Sequence, residues 1–190
     1  MAQISWKPGY DGNSPVINFV LEWKFTAELW TDDGVKREYT SGNTSEYTVT
    51  GLKPDTQYDI RVWASNLLGQ SDASEVVSVT TDEEAPSEVP RDVAADSPSS
   101  TSISLTWKVP TKGHNGRLLG YIIGYKLKNS TDGFVYKTVK SDGKREESVK
   151  LKDLRKYSSY SIVIQAYNKM GSGPKLELPD VWTMEDGIYE

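Results

Sequence analysis

From Tyr58 onward, apolar side chains occupy every second position: Tyr58, Ile60, Val62 and Ala64 alternate with Asp59, Arg61 and Trp63. A period of two predicts a strand with one buried face. The alternation returns at Tyr160, Ile162, Ile164 and Ala166, and its surroundings return with it. Leu52, Asn66 and Gly69 have counterparts at Leu154, Asn168 and Gly171, each 102 residues further on. A self-similar unit of about a hundred residues is too long for a solenoid repeat and predicts a whole domain present twice.

Other stretches fit the same plan. Ile4 and Trp6 share one face of a short strand, matched by Ile103, Leu105 and Trp107. Phe19-x-Leu21-x-Trp23 and Tyr121-x-Ile123-x-Tyr125 supply the next strand of each unit, and their aromatic ends are expected to pack on Trp6 and Trp107 respectively. Residues 8–15 and 109–116 are rich in turn formers, and Asp-Gly pairs follow at Asp33-Gly34, Asp132-Gly133 and Asp142-Gly143. Tyr47-Thr-Val49 and Val149-Lys-Leu151 lead into Leu52 and Leu154, while Val77-x-Val79-x-Thr81 and Val181-x-Thr183 close the units. About seven short strands per unit with no helical period predict an all-β fold, each unit a two-sheet β-sandwich. The leucine and tyrosine six residues apart predict a tyrosine corner, in which the ring is buried and the hydroxyl bonds the backbone just upstream. Tyr58 and Tyr160 are the candidates, with Trp6, Leu52, Trp107 and Leu154 as structural core.

These patterns divide the chain into a first domain at 1–84, a second at 85–184, and the start of a further linker at 185–190. Asp82-Glu-Glu-Ala-Pro86-Ser-Glu-Val-Pro90 is acidic and bounded by prolines. A linker proper of about four or five residues predicts a restricted bend and not free rotation. Residues 89–95 read as the first strand of the second unit, at a sheet edge where Pro90 is tolerated. The first unit has no equivalent, so it is expected to lack its first strand and to be the less stable half, because an open strand edge is left unpaired. That start, together with the linker-like Thr183-Met-Glu-Asp-Gly187, leads us to expect a segment of a longer protein.

Composition narrows the functions. At 190 residues each half can bury its own core. The absence of cysteine removes disulfide frameworks, thiolate zinc sites and cysteine nucleophiles. A net charge of −5 with no long basic run argues against a nucleic-acid partner. No apolar stretch is long enough to span a bilayer, and residues 1–7 lack the basic flank and apolar core of a signal peptide, so no direct membrane insertion is expected of this segment.

Candidate chemistry is sparse. No nucleophile motif is present, and His114 lies in a turn-rich loop with no second histidine to share a metal. Asp32-Asp33-Gly34 and Glu83-Glu84 have neither calcium-loop spacing nor a flanking apolar pocket, and read as solvated turn and linker charges. The expectation is therefore a protein without catalytic, cofactor or metal residues. Two sequons, Asn43-Thr-Ser45 and Asn129-Ser-Thr131, fall in polar loops and make Asn43 and Asn129 glycosylation candidates. Trp63 and Trp182 occupy outward positions of their strands. Two readings stand: they support weak lateral self-association, or they are ordinary sheet surface, with Lys24 or Arg61 over Trp63 and Val163 beside Trp182.

The early Trp6 and Trp107, the Leu-x5-Tyr corners and the Ala-x-Asn-x2-Gly loops at Ala64–Gly69 and Ala166–Gly171 resemble tandem fibronectin type III domains, which are immunoglobulin-like sandwiches. More narrowly, Tyr10-Asp-Gly-Asn-Ser-Pro15, Leu118-Leu-Gly-Tyr-Ile-Ile-Gly-Tyr-Lys126 and Gln165-Ala-Tyr-Asn-Lys-Met-Gly-Ser-Gly-Pro174 resemble the first fibronectin domains of the arthropod Down syndrome cell adhesion molecules, with sidekick receptors next. That resemblance implies the extracellular part of a neuronal or immune cell-surface receptor. In such receptors immunoglobulin domains outside this fragment carry homophilic recognition, and the fibronectin array spaces them from the membrane. A spacer in a receptor tyrosine phosphatase or other enzyme-linked ectodomain, and an intracellular muscle-type array, are the alternatives.

Overall fold

Sixteen strands and no helix occupy the described residues, 1–185, of the computed structural model. The chain divides into two compact units, Met1–Asp82 and Glu83–Glu190. Glu83 and Glu84 belong with the second unit because Glu84 N donates to Asn115 O at 2.8 Å and Lys169 pairs with Glu83 at 3.0 Å. Of the linker expected at 185–190, residues 186–190 lie outside the described residues.

In the first unit, β1 (Ala2–Ser5) pairs with β4 (Glu46–Val49) in a two-stranded sheet. The facing sheet runs β3 (Lys36–Ser41), β2 (Asn18–Phe25), β5 (Gln57–Asn66), β6 (Gly69–Gln70), with β7 (Val77–Thr80) also on β5. Phe19 and Leu21 of β2, Tyr58 and Ile60 of β5 and Val49 of β4 are buried, following the predicted alternation. Trp6 reaches across to Phe19 with ring centroids 5.4 Å apart.

The second unit repeats this frame with a fuller small sheet: β8 (Arg91–Ser99), β9 (Ser102–Lys108) and β12 (Glu146–Leu151), in the order β12-β9-β8. The first strand starts two residues later than the sequence suggests and runs further. Register shifts between Arg91 and Ala94 and between Asp96 and Ser99 let it continue through Pro98, which an edge strand accommodates. The larger sheet contains β10 (Gly120–Leu127), β11 (Val135–Lys140), β13 (Ser159–Asn168) and the short β14 (Gly171–Ser172), β15 (Leu176–Glu177) and β16 (Val181–Trp182). Its core gathers Ile103, Leu105, Trp107, Tyr121, Ile123 and Ile164, all fully buried. Trp107 meets Tyr121 edge-on at 5.1 Å, and truncating such a side chain typically costs about 3–5 kcal/mol. Burial pushes the Tyr121 hydroxyl up to about 12.

Candidate interaction surface

Each unit is latched at one corner by the same side chains. Tyr58 Oη accepts from Lys53 N at 3.0 Å, and Tyr160 Oη accepts from Arg155 N at 2.8 Å. The carbonyls of these two residues are held as well: Thr81 Oγ1 donates to Lys53 O at 2.5 Å and accepts from Thr56 N at 3.1 Å. In the second unit Thr183 Oγ1 donates to Arg155 O at 2.7 Å and accepts from Ser158 N at 3.0 Å. A threonine from the closing strand and a tyrosine from the central strand thus satisfy both backbone groups of one turn residue. Leu154 is buried and Leu52 half-buried beside their tyrosines.

At the opposite end the asparagine of each Ala-x-Asn-x2-Gly loop ties loops together. Asn66 Nδ2 donates to Asp11 O and Ser14 O, and its Oδ1 accepts from Leu68 N and Gly69 N. Asn168 Nδ2 donates to Glu84 O and His114 O. His114 Nε2 lies 2.6 Å from Pro110 O, so the single histidine closes its own loop. Asp32 likewise serves its turn, its Oδ2 accepting from Leu29 N at 2.6 Å. Among the described residues no group of three His, Cys, Asp or Glu is placed to hold a metal.

The outer face of the β3-β2-β5 sheet holds a charged ladder. Positions of β2 that alternate away from the core place Glu22 opposite Arg37 on one side and Arg61 on the other. Arg37 Nε donates to Glu22 Oε1 at 2.5 Å, and Arg61 Nε and Nη2 reach Oε2 at 2.8 and 2.7 Å. Two residues along, Lys24 Nζ meets Asp59 Oδ2 at 3.1 Å, and Asp59 Oδ1 accepts from Thr26 and Ser78 hydroxyls. Glu22 is 0% and Lys24 4% exposed although they face away from the core. Trp30, from the β2–β3 turn, helps cover them: Arg61 Cζ lies 4.0 Å and Lys24 Nζ 4.9 Å from its ring centroid. Burial pushes the Glu22 carboxyl upward, but hydrogen bonds and charge from Arg37 and Arg61 outweigh it and hold the group below the usual range. The Ser78 hydroxyl, with Thr26 and Lys24, holds Asp59 low against a smaller effect of burial.

The second unit keeps the frame and changes the chemistry. Gly124 occupies the place of Glu22, and a Cβ there would lie 2.7 Å from Tyr136 Cε1 and 2.8 Å from Val163 Cγ2. Phe134 packs beside Tyr136 at 6.1 Å, and Lys126 and Lys175 lie over these two rings. An aromatic roof replaces the ionic ladder.

Trp63 does not stand exposed on its strand. It is half-buried opposite Val20, and the cations expected over it cover Trp30 instead. The sequence has no periodic signal for Trp30, which lies in the turn between β2 and β3, where the 102-residue register puts Asp132 in the second unit. Trp182 is 56% exposed opposite Ser159, and its ring neighbour is Tyr157 at 5.8 Å, not Val163. Asn43 and Asn129 are both exposed in turns.

The sequence profile of the fibronectin type III domain matches residues 1–80 and 88–179. The chain is 39% identical over 186 residues to the cell adhesion molecule Dscam1 of Drosophila melanogaster, and 37% identical over 186 residues to the cell adhesion molecule DSCAM of Gallus gallus. Human DSCAM is 34% identical over 185 residues. Each match covers 96% of this chain, which spans 9% of the length of these relatives. Among solved structures, chicken CNTN1 FN1-FN3 domains align with a TM-score of 0.50 and 25% identity, covering 96% of this chain and 61% of that one. With two sandwiches built on one frame, each closed by a tyrosine corner, the chain belongs to the fibronectin type III family and is homologous to part of the Dscam cell adhesion molecules.

Proposed function

We propose that this chain is a non-enzymatic spacer and interaction segment in the extracellular part of a homophilic cell-adhesion receptor. Homology to the Dscam cell adhesion molecules over 96% of the chain carries this reading. Two sandwiches, each ~30–40 Å long from strand lengths near 3.3 Å per residue, set the spacing of recognition domains that lie outside the segment. The corner latches support a mechanical role, because they tie the closing strand of each unit to the turn before its central strand.

Weak self-association in cis adds to this role through the patch formed by Trp182, Tyr157 and Met184, which are 56%, 64% and 52% exposed. Neighbouring exposed aromatics favour protein contacts, and a contact too weak to hold alone gains from an array. Trp63 is the weaker candidate, being half-buried. Sedimentation of Trp182→Ser with Tyr157→Ser should show self-association weakened by about tenfold or more, roughly one lost contact of 1.4 kcal/mol. An association constant unchanged from the parent removes the cis contact while leaving the spacer role intact. Glycans on Asn43 and Asn129, read by mass spectrometry of chain secreted from animal cells, are the expected mark of an extracellular setting.

A further inference from the structure

The chain is acidic overall, with a net charge of −5, yet one end of the second unit gathers positive charge. The loops at 109–119 and 141–145 and the start of β8 enclose an open cleft of about 1030 Å³. Five cations line it, Arg91, Lys108, Arg117, Lys144 and Arg145, against the acids Asp142 and Glu146. Two of the cations are matched locally, Lys108 by Asp92 at 2.9 Å and Lys144 by Asp142 at 2.5 Å. The three arginines are exposed, and their side chains make no ion pair or hydrogen bond among the described residues. The chain has six arginines. Arg37 and Arg61 are committed to Glu22, so three of the remaining four converge on this cleft.

Both walls are pre-arranged. His114 Nε2 closes the first loop on Pro110 O, and Asn115 Nδ2 ties it to Ala85 O at 2.9 Å. In the second loop Lys144 N donates to Asp142 Oδ1 at 3.0 Å, and Val109 N joins the walls through Arg145 O at 3.1 Å. The loop backbones are thus ordered before a ligand arrives, and binding has only the exposed arginine side chains left to fix. The first unit offers no such cluster: in the 102-residue register, Pro15 and Asn43 stand where the second unit has Arg117 and Arg145.

We infer that this cleft binds a sulfated polysaccharide through Arg91, Arg117 and Arg145. A planar guanidinium fork donates two parallel hydrogen bonds to a sulfate as it does to other oxyanions. The lining contains no Phe, Tyr or Trp on which nucleic-acid bases would stack, which disfavours single-stranded nucleic acid as the occupant. Val109 and Leu118 give an apolar wall suited to sugar ring faces.

The test is titration of the 190-residue chain with a heparin-derived octasaccharide at low salt. The expected result is saturable binding that weakens steeply as salt rises and falls at least tenfold in Arg117→Ser with Arg145→Ser. Because both side chains are exposed and unpaired, the variant should unfold at the same urea concentration as the parent. Amide shifts in the parent, confined to 109–118, 141–145 and the start of β8, provide a reading independent of the variant. The proposal is overturned by no binding at low salt, by equal affinity in the variant, by shifts mapping elsewhere, or by a single-stranded oligonucleotide competing equally well.

Discussion

At the scale of single residues, the corner depends on two hydroxyls acting on one turn residue. Tyr160 is 5% exposed and Thr183 2% exposed, so neither can exchange its partner for water without local opening. Removing the phenolic oxygen leaves Arg155 N without its acceptor, and a lost hydrogen bond of this kind costs about 1–2 kcal/mol. Tyr160→Phe should therefore lower second-unit stability by that amount, measured by urea unfolding, while leaving the first unit unchanged. Thr183→Val should cost at least as much, because Arg155 O loses its donor and Ser158 N its acceptor. The tyrosine is readable from the sequence because Leu-x5-Tyr is a local spacing. The threonine is not, because its partners lie 25 and 28 residues away and meet it only when the closing strand docks.

At the scale of elements, alternation along β2 assigns faces correctly but says nothing of how an outward face is finished. In β2 and β5 of the first unit the finish is ionic, and in β10 and β13 of the second it is a glycine under a tyrosine. The ionic version makes the first unit pH-sensitive in a definite direction. Glu22 and Asp59 are held below their unfolded values of about 4.3 and 3.9, so their contribution is complete above those values and is lost as pH falls through the lower folded values. Unfolding followed between pH 7 and pH 2 should show the first unit losing stability in the acid range. In Glu22→Gln the loss below pH 4 should be shallower. The same substitution should cost about 1–3 kcal/mol at pH 7, since Arg61 and Arg37 lose a charged acceptor. Equal acid slopes in parent and variant would show that Glu22 does not govern the effect.

At the scale of the whole molecule, two copies of one frame differ in how much apolar surface they bury. Among the described residues, six hydrophobic side chains are buried in the first unit and twelve in the second, and Trp6 is half-buried where Trp107 is fully enclosed. The small sheet has two strands in the first unit and three in the second. In this chain the first unit should therefore unfold first. A stability gap of about 2 kcal/mol separates the urea midpoints by about 1–2 M at m-values of about 1–2 kcal/mol/M. Trp6, Trp23, Trp30 and Trp63 lie in the first unit and Trp107 and Trp182 in the second, so tryptophan fluorescence should report mainly the earlier transition. Coincident midpoints for the two units would contradict the difference in cores.

The chain's own residue order determined the duplication, the sandwich class, the strands and the inward faces, because a period of two and a fixed 102-residue offset are properties of neighbours along the backbone. The tertiary structure alone decided that Trp30 and not Trp63 receives Lys24 and Arg61, and that Glu22 is buried on an outward face. It also decided that three arginines far apart in sequence share one cleft. Each of these depends on which loops and strands the folded sheets bring side by side, a distance in space that hydrophobic periodicity does not encode.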